Sequence, residues 1–180
     1  MIGRSFIFGL CIGLLGCQDE GIRVLHVAKP PPKRTLAFII PRPDATWFLK
    51  LNGPADAVTI DAPAFREFGT SIQFINGEPP IRYAVPPSWR SQDTQPGGMF
   101  KRYATFHTEN NCEVIVTQLG PGSGEVLPNV NRWRGEVGLG SVTESELGQI
   151  VEPIEIAGAK ATFVNVDGQP LTRSKHAGGT

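Results

Sequence analysis

Charge of one sign, paired metal ligands and a second long apolar run are all missing from this 180-residue sequence. Seventeen Lys and Arg balance seventeen Asp and Glu, giving a formal net charge of +0. Without a basic cluster there is no electrostatic footprint for a phosphate backbone, so no nucleic-acid partner is expected. Only three histidines occur, His26, His107 and His176, and none pairs with another at metal-ligand spacing. Neither a metal nor a cofactor is expected. Serines such as Ser88 and Ser123 lack the context of an activated nucleophile. No catalytic residue is assigned.

The one long apolar run lies at the N-terminus. Arg4 is the sole charge before residue 17, and Ser5 to Gly16 is almost wholly apolar or small. That run falls short of the ~20 residues a spanning helix needs and fits a signal peptide, residues 1–16. Leu14-Leu15-Gly16-Cys17 resembles the bacterial lipobox. The resemblance implies lipidation of the Cys17 sulfur and cleavage before Cys17. Two or three fatty chains on one residue anchor firmly, since each buried CH2 contributes about 0.8 kcal/mol. The expected partner of this end is therefore a membrane, reached through lipid on Cys17. Gln18 after the cysteine favours the outer over the inner membrane by the enteric sorting rule, with the protein facing the periplasm. Cys11 leaves with the signal and Cys17 carries lipid, so Cys112 has no disulfide partner. It reads as a small buried strand residue. Loss of Arg4 leaves sixteen basic residues against seventeen acidic ones, and the mature chain stays near neutral.

Residues 17–34 read as a lipidated cysteine and tether, stiffened by Pro30-Pro31-Pro32; Ile22 to Val27 could add an edge strand. Residues 35–168 read as one domain and 169–180 as a disordered tail. Thr35 to Ile40 and Trp47 to Leu51 form a hairpin across a proline-rich turn, with Trp47, Leu49 and Leu51 on one face. A helix follows Pro54, with Val58, Ala62, Phe65, Phe68 and Ile72 at helical spacing. Pro63 predicts a kink, or a fresh start capped by Asp61. Gly77 to Gly98 holds five prolines and one candidate strand, Ile81 to Val85. Phe100 to His107 and Cys112 to Leu119 form a second hairpin. In its first strand Phe100, Arg102, Ala104 and Phe106 alternate against Lys101, Tyr103 and Thr105. A helix then buries Val126, Val130, Trp133 and Val137. Thr143 to Glu146 is a capping-box pattern, and Ile154 to Ile156 with Ala161 to Val166 makes a last hairpin turned at Gly158. The fold class is α+β, a mostly antiparallel sheet with helices packed on its faces.

Three clusters carry the candidate chemistry. Gly120-Pro121-Gly122-Ser123-Gly124 sits between strand and helix like a phosphate cradle, but Glu125 stands where a lysine would help and repels phosphate. Asn129-Val130-Asn131-Arg132-Trp133-Arg134 is the most distinctive segment. With Val130 and Trp133 inward, Asn129, Arg132 and Arg134 are candidate partner-binding residues, with an Arg132–Glu136 pair at i,i+4 spacing. The plainer reading is a core Trp flanked by solvated or paired arginines. His107 and Cys112 flank a turn and define the alternative, a hydrolase-like envelope enzyme using that pair or a carboxylate pair.

Trp47-Phe48-Leu49-Lys50-Leu51-Asn52-Gly53-Pro54, Phe65 to Phe74, Val85 to Trp89, Ala104-Thr105-Phe106 and Asn129 to Arg134 followed by Gly138-Leu139 carry a resemblance. Over residues 22–168 the chain resembles a family of uncharacterised bacterial lipoproteins of planctomycete type. That family is distantly similar to the PsbP/Mog1 fold, an α/β/α sandwich around an antiparallel sheet. The resemblance implies non-enzymatic binding of an envelope partner, by analogy of fold alone.

Overall fold

A computed structural model describes residues 31–93 and 101–168. The proposed signal peptide, Cys17, the Ile22 to Val27 strand and the tail after residue 168 lie outside the described residues.

The fold begins with β1 (Lys33–Pro41), which pairs antiparallel with β2 (Thr46–Pro54), Phe38 opposite Leu49. Helix α1 (Ala55–Thr70) follows directly, then two short strands, β3 (Gln73–Phe74) and β4 (Ile81–Arg82), which pair only with each other. Strand β5 (Arg90–Gln92) leads to β6 (Lys101–His107) and β7 (Glu113–Leu119). Helix α2 (Val126–Glu136) and a 3-10 helix (Glu144–Gln149) precede β8 (Val151–Ile156) and β9 (Ala159–Asp167). Seven strands form one sheet in the order β5-β6-β7-β2-β1-β9-β8, antiparallel at every pairing. The three expected hairpins are present, and the fold is α+β with a mostly antiparallel sheet.

Strand β1 lies inside the sheet and is buried on both faces, which explains its unbroken apolar run from Leu36 to Ile40. Leu36, Phe38 and Ile40 pack with Trp47, Leu49 and Leu51 of β2 and with Val58, Phe65 and Phe68 of α1. Ala37 and Ile39 point the other way, to Phe48, Val164, Val130 and Trp133. One helix therefore covers each face. Burial of a large apolar side chain contributes about 1.5–3 kcal/mol, so these two clusters fix which face each helix takes.

Local chemistry sets the helix ends. Asp56 in the first turn of α1 complements its dipole, and Ser71 closes its last turn by donating through its N–H to Glu67 and through its hydroxyl to Phe68. The capping box at the 3-10 helix is formed, with Thr143 N–H donating to Glu146 at 2.8 Å. The last hairpin turns through Ala157 (φ 48°) and Gly158 (φ 74°), the left-handed pair a two-residue hairpin loop requires.

Four expectations change. Helix α1 runs unbroken through Pro63, whose ring is exposed, and Asp61 is no cap. Asp61 faces inward and accepts hydrogen bonds from the β6–β7 turn. Strand β4 stops at Arg82, short of Val85, because Pro86 and Pro87 turn the chain toward β5, a strand the sequence did not announce. Alternation in β6 breaks at a bulge: Arg102 opposes Thr117 and Ala104 opposes Val116, leaving Tyr103 as the extra residue. Finally, Glu136 pairs with Lys50 of β2 rather than with Arg132.

Candidate binding groove

A concavity lies at the β5 edge, on the α1 side of the sheet. It encloses about 530 Å³ and is lined by Tyr83, Val85, Trp89, Ser91, Gln92, Asp93, Tyr103, Ala104 and Phe106. That volume falls within the usual range for small-molecule sites.

Each wall has a local cause. Ala84 N–H donates to Ser71 Oγ at 2.9 Å and ties the segment after β4 to the end of α1. Tyr83 is thereby held 5.1 Å from Phe68, ring centre to ring centre. The Pro86-Pro87 turn is closed by Trp89 N–H donating to Pro86 at 3.0 Å, which brings the indole to 5.1 Å from Phe68 and 6.1 Å from Phe106. The bulge in β6 turns Tyr103 onto the same face as Phe106, where its ring lies 4.8 Å from Trp47 and its hydroxyl donates to Gln118 at 3.0 Å. Tyr83 and Phe106 stand nearly perpendicular, at 87°. Val85 is 38 % exposed at the rim.

Burial pushes the Tyr83 hydroxyl above its ordinary value; burial and then the negative charge of Glu78 do the same to Tyr103. Both rings therefore stay neutral across the physiological range. Among the described residues, Asp93 is the one charged residue in the lining, and it is exposed. Gln92 and His107 contact each other at 2.6 Å, through Oε1 and Nε2. Of the lining residues, Trp89 and Phe106 are buried, Tyr83 and Tyr103 are half-buried, and Ser91, Gln92 and Asp93 are exposed, so the concavity presents polar groups as well as ring edges.

The sequence-derived candidates lie elsewhere. Cys112 is wholly buried, and its thiol is pushed up to about 12 by burial and by the adjacent Asp61. A thiol held protonated is a poor nucleophile. His107 follows Phe106 in a strand and so points to the opposite face from the cluster that holds Cys112. The two are not assembled into a pair.

Asn129 is 9 % exposed, and its amide is spent on the glycine-rich loop. Its Nδ2 donates to Ser123 O at 2.8 Å and to Glu125 O at 2.7 Å, while Oδ1 accepts from Arg132 at 3.1 Å. Arg134 is half-buried and donates through Nε to Gly140 O at 2.7 Å. Arg132 is exposed, 5.5 Å above the Trp133 ring. Only Arg132 thus presents its charge broadly to solvent. Asn131, flanked by these residues, exchanges two hydrogen bonds with Val142, at 2.8 and 3.0 Å, and fixes the return of the chain after α2.

Among the described residues, no group of three or more His, Cys, Asp or Glu is placed to hold a metal ion, and no helix is long and apolar enough to cross a membrane. The groove residues were missed because Gly77 to Gly98 reads as a proline-rich connection and because strict alternation puts Tyr103 on the wrong face. The signal available was composition: Tyr83 and Trp89 lie within that connection, and Tyr103 and Phe106 follow it. Comparison of the chain with known protein families, with curated proteins and with solved structures gives no match.

Proposed function

We propose that this chain is a lipoprotein of the bacterial cell envelope, anchored by lipid on Cys17, whose folded domain is a non-enzymatic binding or accessory module. The observation that carries the binding role is the aromatic groove at the β5 edge. The protonated, buried Cys112 and its separation from His107 favour this reading over the hydrolase-like alternative. The membrane role rests on the lipobox Leu14 to Cys17 and the apolar run before it. Gln18 supports the outer membrane, periplasm-facing, as the destination.

For the finer fold, we propose the PsbP/Mog1-like α/β/α sandwich. Its support is element order, with a helix on each face of an antiparallel sheet. An envelope protein partner would meet α2 chiefly through the exposed Arg132, with Asn129 positioning that guanidinium through its Oδ1 and the half-buried Arg134 beside it.

The anchor is tested by metabolic labelling with a fatty-acid analogue in a bacterial host. Wild type should carry label, and Cys17→Ser should carry none and remain as uncleaved precursor, because a hydroxyl is a poor substitute for the thiol acceptor. Label entering the variant would overturn the lipoprotein reading.

A further inference from the structure

We propose that Asn76 is a site of spontaneous deamidation: in the folded protein its side chain closes onto the Gly77 amide and passes through a succinimide to aspartyl and isoaspartyl products. The inference is independent of the binding and lipid-anchor readings.

Asn-Gly occurs twice in the chain, as Asn52-Gly53 and Asn76-Gly77. The dipeptide is reactive because glycine has no Cβ to hinder the approach of its amide nitrogen to the asparagine side chain. Water is the only co-reactant. The Gly77 amide loses its proton to solvent hydroxide, and its nitrogen attacks Asn76 Cγ. The new C–N bond closes the succinimide ring; the Cγ–Nδ2 bond breaks, and ammonia leaves after taking a proton from water. Water then opens the ring at either carbonyl. Opening at Cγ gives an aspartyl side chain, and opening at the main-chain carbonyl gives an isoaspartyl linkage.

Ring closure needs rotation of the asparagine main chain, and the two sites differ in their freedom to rotate. Asn76 lies in the loop of the β3–β4 hairpin, beyond the bond from Ile75 N–H to Pro80 O at 3.1 Å. Asn76, Gly77 and Glu78 are exposed, and among the described residues the Asn76 amide has no hydrogen-bond partner. A Cβ at Gly77 would meet only Ile75 Cδ1, at 3.9 Å. Asn52 instead sits in β2 between Thr35 of β1 and Glu113 of β7, its amide donating to Glu113 Oε2 at 3.4 Å. A Cβ at Gly53 would lie 2.7 Å from Cys112 Sγ. Paired on both sides and packed, that copy is held extended.

The products place a carboxylate close to Glu78, whose charge already acts on Tyr103 in the groove lining. The isoaspartyl form also lengthens by a methylene the hairpin whose Phe74 packs on Trp47.

The test is incubation of the lipidated full chain in a non-ionic micelle, at pH 8 in heavy-oxygen water, followed by tryptic digestion in ordinary water. Trypsin separates the two asparagines into peptides 51–66 and 67–82. The second peptide should take up heavy oxygen and become a substrate for isoaspartyl methyltransferase. Its rate should exceed that of the first at least about tenfold, because the β2 site must open before it reacts. In denaturing urea the two rates should converge. Gly77→Ala, at an exposed site with room for the methyl group, should slow conversion roughly tenfold by crowding the attack. Equal rates at Asn52 and Asn76 in the folded chain overturn the proposal. So does an intact Asn76 over the time in which the urea-unfolded chain converts, or a Gly77→Ala chain that converts as fast as wild type.

Discussion

The Thr108 hydroxyl donates to Asp61 Oδ2 at 2.6 Å, joining the β6–β7 turn to α1 across 47 residues of chain. Asn110 adds a second bond to the same carboxylate, at 2.7 Å, and Thr108 Oγ1 in turn accepts from the Cys112 N–H at 3.0 Å. Thr108 is fully buried and Asp61 nearly so. Asn111, in the left-handed region at φ 58°, completes the tight turn. One carboxylate thus organises a turn that would otherwise carry buried polar groups with no partner.

Asp61→Ala should therefore be among the more damaging single changes in α1. It removes two bonds to a charged acceptor and strands the Thr108 hydroxyl, a loss of about 2–4 kcal/mol. Urea unfolding should show a lower midpoint with an unchanged slope. Asp61→Asn, which keeps one carbonyl acceptor, should cost less. Equal stability of Asp61→Ala and wild type would mean that the turn holds without its anchor.

The Cys112 thiol gives a pH signature. Its ordinary value is 9.0, and the fold pushes it up to about 12. The folded state then keeps a proton that the unfolded state releases. The thiol's contribution is fully present below pH 9 and declines between pH 9 and 12, by up to about 1.4 kcal/mol per pH unit. Chemical denaturation at pH 8 and pH 10 should show this decline, and Cys112→Ala should flatten that part of the profile. Thiol-specific labelling at pH 8 should reach Cys112 only in denaturant.

Gly69 is set against Phe38. A Cβ at Gly69 would lie 2.2 Å from Phe38 Cε2, and that ring is fixed between Phe65 at 5.3 Å and Phe163 at 5.0 Å. Gly69→Ala pits two magnitudes against each other. Helix propensity favours Ala by about 1 kcal/mol, whereas overpacking a tight core costs about 1–3 kcal/mol. The ring has nowhere to move, so the variant should melt lower than wild type. A higher melting temperature would show that α1 can shift away from the sheet.

The parts of this fold legible in the sequence are those encoded by local period. Trp47, Leu49 and Leu51 alternate, Val126, Val130 and Trp133 recur at helical spacing, and Thr143 to Glu146 is a self-contained cap; each appears where its pattern puts it. What was not legible depends on partners distant in the chain. Asp61 could cap locally, and only the arrival of Thr108 and Asn110 gives it a different task. Glu136 has Arg132 one turn away, yet Lys50 on the sheet beneath takes it. Tyr103 obeys alternation until β7 opposes it with one residue too few. The groove inherits this opacity, because its walls come from a proline-rich connection, a bulge and a three-residue strand that exist only once β6 has paired with β7.

The α2 arginines separate a partner surface from a structural role, and their environments differ enough to make the two variants informative together. Arg134 donates to Gly140 O at 2.7 Å and is half-buried; the Glu146 carboxyl is held below its ordinary value by the Thr143 hydrogen bonds, with the charge of Arg134 as a minor addition. Charge reversal there removes the bond to the carbonyl and sets a second carboxylate near Glu146. Arg134→Glu should lower stability by about 1 kcal/mol through the lost hydrogen bond alone. Arg132 is exposed, and its one bond is to Asn129 Oδ1, whose amide remains held by Ser123 O and Glu125 O. Arg132→Glu should therefore change stability by no more than about 0.5 kcal/mol. Thermal melts of the two variants should separate in that order. Arg132→Glu is then the variant for examining capture of an envelope protein by the membrane-anchored chain, since any loss of capture comes without loss of folding. A melt of Arg132→Glu as low as that of Arg134→Glu would assign both arginines to the fold and remove α2 as a partner surface.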